Sequence, residues 1–180
     1  MTKPTLPFDG GRLRPVTHAD ADLMLALMTG PEVRRYLCDD TILTPDDVAG
    51  FVSASIGQDE DGLGLWVIET ETETTAGLLG LMPVSGPLVA VPAMRGGIEP
   101  TIALDPRFWG RGLARQALLA VIEYGRTELS LTELVAAVDA PNESSHRLMQ
   151  TCGFEECGTT SGTAHDLILY KRLLTQGAAS

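Results

Sequence analysis

Between a run that reads as a strand, IEPTIALD, and a run whose apolar residues recur every three or four positions, LARQALLAVIEYG, the chain reads PRFWGRG. Gly110 and Gly112 stand one residue apart at this joint, with Arg107 and Arg111 beside them. Glycine loses more backbone freedom on folding than other residues do, so two in close succession weaken a regular element. Their usual use is to let another group approach the backbone. A helix that starts here presents unsatisfied N–H groups and a partial positive charge, and both favour an anion, phosphate above all. Arg107 and Arg111 would add charge-assisted hydrogen bonds. The joint therefore predicts a strand, a phosphate cradle and a helix in succession.

Two common phosphate loops do not fit. A Walker loop needs G-x-x-x-x-G-K-[ST], which is absent, and a dinucleotide fingerprint needs a third glycine where Arg115 stands. A Mg²⁺-dependent nucleotide enzyme would need carboxylates near the loop. Only Asp105 is close, and with Pro106 it reads as a turn former.

The remaining elements follow from local signals. GRLRPV reads as a first strand ending at Pro15. THADADLMLALMTG reads as a helix: Thr17 and Asp20 make a capping-box pattern, Leu23 and Leu27 supply the apolar stripe, and Gly30 suits the C′ position. PEVRRYL suits a short helix, and TPDDVAGFVSASI a longer one capped by Thr44, with Pro45 at its first position. LGLWVIET and AGLLGLMPV predict a hairpin across the turn ETETT, and SGPLVAVPAMRGG an apolar loop. Pro100, inside IEPTIALD, implies a bulge or an unpaired edge. From Gly112 onward Ala114, Ala117, Leu118, Val121, Ile122 and Gly125 share one helix face, which leaves Tyr124 beside the stripe as a partly exposed ring. LVAAVDA reads as a buried strand, NESSHRLMQTCG as a helix capped by Asn142 or Ser144 and ended by Gly153, and FEECG and HDLILYKRL as two last strands before a loose tail, TQGAAS. The sum is an α/β (α+β) chain, a mixed sheet with helices packed on it.

Composition narrows the partners. The 180 residues suit one domain, 1–180, with a core over about 11–173. A net charge of -11 argues against nucleic acid or an anionic membrane as partner and suits a cationic substrate, although a plain solubilising surface gives the same balance. No apolar run is long enough for a bilayer, and the N-terminus carries no apolar signal segment, so a cytoplasmic location is expected. Cys38, Cys152 and Cys157 form no C-x-x-C pair, and His18, His146 and His165 are scattered, so no metal is expected.

RFWGRG, residues 107–112, resembles the [QR]-x-x-G-x-[GA] pyrophosphate loop of the GNAT superfamily of N-acetyltransferases. LRPVTHADADLMLALMTGPEVRRYL resembles the opening of its RimJ/RimL-like branch. EPTIALDPRFWGRGLA resembles that branch's strand–loop–helix core, and NESSHRLMQTCGF its later N-x-x-S…G-F segment. The likeness runs over about 11–173. It implies a GNAT-like acyl-CoA N-acyltransferase fold with a central, mostly antiparallel sheet flanked by helices. It implies acetyl-CoA as co-substrate, held by Ile102, Leu104, Arg107, Gly110, Arg111, Gly112, Leu113, Ala114 and Asn142. The acceptor would be an amine, on a small molecule or a peptide N-terminus. A homodimer suits this kind of fold, though no exposed apolar helix stripe marks an interface.

Acetyl transfer to an amine needs a base, because an alkylammonium with a pKa near ~10 is no nucleophile at neutral pH. The resemblance implies Glu99, acting directly or through water. Pro100 holds Glu99 extended, and stands where an aliphatic residue is expected. Glu69 and Asp139 are the alternatives. For the oxyanion the resemblance implies a backbone N–H within 101–104. For the thiolate proton, many members use a tyrosine on the helix after Asn142, where this chain has Leu148 and Met149; the branch pattern offers Ser145 instead. Asn142 and Ser145 are also ordinary helix-start residues. Trp109 reads as packing, Tyr170 as core and His146 as a solvated helix residue. A second reading is an acyl-CoA-binding or sensor module without catalysis, motivated by Pro100 and the missing tyrosine.

Overall fold

In the computed structural model, which describes residues 3–72 and 74–174, the first strand of the sequence has a partner before it. Leu6–Phe8 (β1) folds back on Gly11–Pro15 (β2), setting Leu6 opposite Leu13. Three residues around Pro7 are too few to show a period, and as an edge strand β1 tolerates the proline. The tail 175–180 lies outside the described residues, as does Glu73 in the expected turn.

Three helices follow: Ala21–Thr29 (α1), Pro31–Leu37 (α2) and Pro45–Gly57 (α3). The Asp20 carboxylate accepts from the backbone N–H and hydroxyl of Thr17, at 2.7 and 2.9 Å. Thr44 and Asp47 exchange the same kind of bonds at the start of α3. Gly30 corrects the expectation of a left-handed C′ cap: its φ of -57 and ψ of 130 lead directly into Pro31. A residue before proline is pushed out of helical geometry, so α1 and α2 meet at an extended joint.

Gly64–Thr70 (β3), Thr75–Pro83 (β4) and Ile98–Leu104 (β5) extend the first sheet, antiparallel throughout, in the order β1-β2-β3-β4-β5. Pro100 sits opposite Leu81 with no register shift, so there is no bulge between β4 and β5. The edge position of β5 accommodates it instead. Glu133–Asp139 (β6), Glu155–Ser161 (β7) and Asp166–Leu173 (β8) make a second antiparallel sheet in the order β6-β8-β7. The helix Leu113–Thr127 (α4) connects the two sheets, and Glu143–Thr151 (α5) joins β6 to β7.

The main core lies between the first sheet and α4, where Leu13, Trp66, Ile68 and Leu79 meet Ala117, Leu118 and Val121. On the opposite side, Met24, Val48 and Val52 of α1 and α3 pack on Val67 and Leu78. Tyr124 is buried rather than partly exposed, at 3%. Its ring meets Trp66 edge-on at 5.8 Å and its hydroxyl donates to Gly62 O at 3.1 Å. The loop at Gly62 reaches over a position that the apolar stripe alone leaves open, and the polar tip finds its acceptor there. No helix among the described residues is long and apolar enough to cross a membrane.

Arg14 ties three elements together. Its guanidinium holds both oxygens of Asp20 and, at 2.8 Å, Glu69, which Arg12 also pairs at 2.7 Å. Burial opposes ionisation of both carboxyls, but the hydrogen bonds from Arg14, with Thr17 on Asp20 and Arg12 on Glu69, outweigh it and hold both below the usual carboxylate range. Stability from such lowered groups is present above the unfolded carboxylate pKa of ~4 and is lost as pH falls through the folded values. Arg14→Met should cost about 2 kcal/mol at pH 7, less than a fully buried pair because Arg12 remains. Urea unfolding at pH 7 and pH 3 should show a flatter acid loss in the variant; parallel losses would remove Arg14 as the organising charge.

Candidate active site

The edges of β5 and β6 separate and leave a cleft of about 770 Å³, of a size that takes an extended organic ligand. One side chain bridges the gap: Glu99 Oε1 accepts from the N–H of Ala137 at 2.8 Å. Residues 99–104 of β5 line one wall and 136–139 of β6 the other. The start of α4 and one face of α5 close one side, and α2 reaches in from another.

At the end of β5, Asp105 caps a single turn, Pro106–Phe108, by accepting from the N–H of Arg107 at 2.9 Å. The Arg107 guanidinium turns back onto the same carboxylate at 2.7 Å, and its side chain is 75% exposed. Arg107 thus braces the turn rather than lining the cleft. Arg111 stands with its guanidinium 5.4 Å over the Phe108 ring, exposed. Gly110 and Gly112 adopt φ of +71 and +79, a region where only glycine is unstrained, and a Cβ on either would meet nothing within 4 Å. The backbone there is open to a ligand. Gly112 is the N-cap of α4, so the N–H groups after it have no carbonyl behind them in the helix. Gly110, Gly112, Leu113, Ala114 and Arg115 all line the cleft. Open backbone, unpaired N–H groups and a helix start make a cradle that fits a diphosphate.

Trp109 is not packed away. It is 50% exposed, lines the cleft, and donates its indole N–H to Leu104 O at 2.7 Å. That bond pins the loop to the end of β5, where Thr101, Ile102 and Leu104 face the cleft and Ala103 is buried.

Burial pushes the Glu99 carboxyl above the ordinary range, and the hydrogen bond from Ala137 offsets only part of that. A carboxylate so placed is a stronger base than one in water. Of the alternatives, Glu69 is held by two arginines between β2 and β3 and does not line the cleft. Asp139 does line it, from the end of β6, with Oδ1 3.3 Å from His165 Nδ1.

Asn142 Oδ1 accepts from Ser145 N–H at 3.2 Å and from the Ser144 hydroxyl at 3.0 Å, an N-cap of α5. Both Asn142 and Ser145 line the cleft. His146 is half-buried and bonded at both ring nitrogens rather than free in solvent. Its Nδ1 lies 2.9 Å from the Tyr170 hydroxyl and its Nε2 3.1 Å from the carbonyls of Asp139 and Ala140. Two carbonyls require a proton on Nε2, and with the Tyr170 hydroxyl on Nδ1 both ring nitrogens are bonded. Tyr170 is core, as expected.

Two contributions carry no signal in the sequence. Glu32, Val33, Arg35, Tyr36 and Leu37 of α2 line the cleft, and the Tyr36 hydroxyl lies 3.5 Å from Pro141 O across it. A helix of seven residues without a buried position shows no periodicity to read. Arg115 and Arg147 also line the cleft, and are exposed residues of amphipathic helices by pattern.

The sequence profile of the acetyltransferase (GNAT) domain matches residues 12–155. The uncharacterized N-acetyltransferase YoaA of Bacillus subtilis is 25% identical over 175 residues, which is 93% of this chain and 95% of that protein. Among solved structures, RimL, a ribosomal L7/L12 alpha-N-protein acetyltransferase in complex with coenzyme A, superposes with a TM-score of 0.76 at 17% identity, over 95% of this chain and 98% of that one. Spermidine N-acetyltransferase from Vibrio cholerae, in complex with CoA and spermine, gives 0.73 at 20% identity, over 90% and 94%. At these identities the structural likeness is one of fold: antiparallel strands flanked by helices.

Proposed function

The chain belongs to the GNAT acetyltransferase family and is an N-acetyltransferase, and from that premise we propose that it moves the acetyl group of acetyl-CoA to a primary amine with Glu99 as base. One observation carries this reading: a single cleft holds a phosphate cradle on one flank and a half-buried, partly desolvated carboxylate on another. Acetyl-CoA supplies the thioester. The pantetheine arm follows the free edge of β5 past Ile102 and Leu104, and the diphosphate rests on Gly110, Gly112, Leu113 and Ala114. Arg111 adds charge from the rim, and Arg107 acts through the Asp105 turn. Asn142 keeps its Oδ1 on α5 and offers its amide N–H₂ to the arm.

Glu99 has one oxygen on Ala137, which leaves the other to take the ammonium proton. The amine nitrogen then bonds to the carbonyl carbon, the C–S bond breaks, and Ser145 relays the second proton lost by that nitrogen to the departing thiolate, ending as the neutral hydroxyl it began as. An N–H from 101–104 faces the oxyanion. The opening segment and the fold shared with RimL support a place in the RimJ/RimL-like branch, as one acetyltransferase domain. RimL and the Vibrio cholerae enzyme are named for a protein N-terminus and for spermidine. The acceptor here is an amine of one of those two kinds, a peptide N-terminus or a small molecule.

Calorimetry with acetyl-CoA, against NADH and ATP, tests the reading; failure to bind acetyl-CoA overturns it. Gly110→Val sharpens the test. The left-handed φ strains valine by roughly 2 kcal/mol, so the fold is checked by its thermal melt, while the side chain enters the space meant for the diphosphate. Acetyl-CoA affinity should fall at least about tenfold, the worth of a single lost charge-assisted hydrogen bond. A wild-type Kd in the folded variant would mean that the loop does not touch the ligand.

A further inference from the structure

Among the described residues, the charged groups that line the cleft are Glu32 and Arg35 on α2, Glu99 on β5, Arg115 on α4, Asp139 at the end of β6 and Arg147 on α5. Those on the helices are exposed, and the two on the strands are not.

Strand alternation puts Glu99 and Asp139 on one face. Ile98, Ile102 and Leu104 of β5, like Ala136 and Val138 of β6, turn to the core beneath α4. Glu99 and Asp139 alternate with them and point the other way. The helix α2 lies on that side. Its Tyr36 ring stands 6.1 Å from the His165 ring, whose Nδ1 is 3.3 Å from Asp139 Oδ1. Glu99 is bonded to the N–H of Ala137, two residues before Asp139, which sets the two carboxylates about 7 Å apart along β6. Just beyond Asp139 the Tyr36 hydroxyl reaches Pro141 O at 3.5 Å and closes the groove, while the Arg35 guanidinium packs over the Tyr36 ring at 5.3 Å.

Asp139 is short of partners. It is 8% exposed, and among the described residues its carboxylate meets His165 alone, on Oδ1. A buried carboxylate needs a cation or several hydrogen bonds to offset its lost hydration. Oδ2 is left for a group that enters the groove.

We propose that Asp139 holds a second ammonium group of the acceptor, so that the enzyme prefers a linear diamine to a monoamine or a peptide N-terminus. The inference rests on the reading of Glu99 as base: one end of the acceptor gives its proton to Glu99 while the other stays charged on Asp139. An extended chain gains about 1.2 Å per bond, so a span of about 7 Å suits a spacer of about four carbons. A net charge of -11 favours the approach of a dication.

Thiol release with α,ω-diaminobutane, butylamine and a tripeptide without charged side chains, on the wild type and on Asp139→Asn, tests the proposal. Wild-type kcat/KM should be at least about tenfold higher for the diamine than for either competitor, the worth of one charge-assisted contact. An ω-aminobutanol of the same length, without the second charge, should rank with butylamine, and this comparison needs no variant. In Asp139→Asn, whose fold is checked by its thermal melt, the preference for the diamine over butylamine should vanish through a raised KM for the diamine. Equal wild-type rates for the diamine and butylamine or the aminobutanol, or a preference for the tripeptide, would overturn the second ammonium site while keeping acetyl transfer. So would a preference that survives in the variant, or a variant that loses kcat on both amines alike, which would make Asp139 the base. A wild type that binds acetyl-CoA and turns over no acceptor would overturn the transfer reading, and this site with it.

Discussion

Glu99→Gln is expected to lower turnover by about 10²–10³-fold while acetyl-CoA affinity stays within about twofold. Glutamine keeps the size of the side chain, and its Oε1 still accepts from Ala137 N–H, so the link between β5 and β6 survives. What is lost is the capacity to take a proton. Thiol release on a panel of primary amines reads the rate. A variant with wild-type turnover would free Glu99 of the base role and return attention to Asp139, a second carboxylate on the β5–β6 side of the cleft. Wild-type binding with no turnover on any amine would favour the non-catalytic acyl-CoA module. The pH dependence gives a second reading. Burial raises the Glu99 carboxyl, so the acid limb of kcat/KM should lie above the ordinary carboxylate value of about 4.3 and vanish in the variant. For stability the sign is the reverse of a salt-bridged acid. A carboxyl whose folded pKa is raised costs stability once pH passes its unfolded value, because the folded state resists ionising it. Glu99→Gln should therefore melt higher than wild type at pH 7, with the difference closing toward pH 4. Such a gain in stability with loss of rate marks a site whose strain serves function.

The parts of this fold that were legible in sequence are those with a strong local cause. Thr44 with Asp47, Thr17 with Asp20, the β-rich apolar runs of β3 and β4, and the glycines before α4 each carry their geometry within a few residues. Features made by distant segments were not. Tyr124 lies beside its helix's apolar stripe, and only the loop at Gly62 and Trp66 from β3 explain its burial. His146 reads as a surface residue until β8 brings Tyr170 against it. Arg107 reads as a phosphate ligand from its motif position, but Asp105, two residues away, competes for the same guanidinium. In the site, Gly110 and Gly112 were legible because glycine is costly in regular structure, while Glu99 came only through the resemblance to the family. The α2 wall, Arg115 and Arg147 were not, since their place comes from the cleft they line.

Lys3→Met is expected to destabilise the protein by about 3 kcal/mol, roughly 10 °C in Tm. The side chain of Lys3 is 0% exposed, and its ammonium lies 2.8 Å from Asp59 Oδ1, 3.3 Å from Ser55 Oγ and 4.8 Å over the Trp66 ring. The same segment accepts the Trp66 indole N–H on Pro4 O at 2.8 Å. It thus straps the end of α3 and the turn at Asp59 to β3, opposite the edge where Tyr124 meets Trp66. Methionine keeps the stem's contact with the indole but leaves the Asp59 carboxylate without its cation, and that exposed deficit is the main cost. Burial works against the ammonium more than Asp59 supports it, so its pKa is lowered. A lysine lowered in this way gains stability for the fold as pH rises toward its unfolded value near 10, the opposite of an ordinary surface salt bridge. Pairing the change with Asp59→Asn should recover most of the loss, because no buried charge is then left alone. If the single variant costs less than about 1 kcal/mol, the ammonium is solvated in solution and the strap does not hold. Because Lys3 touches nothing in the cleft, acetyl-CoA affinity well below the melting temperature should be unchanged. A weakened Kd there would mean that the N-terminal strap and the cradle are coupled through Trp66, Tyr124 and α4.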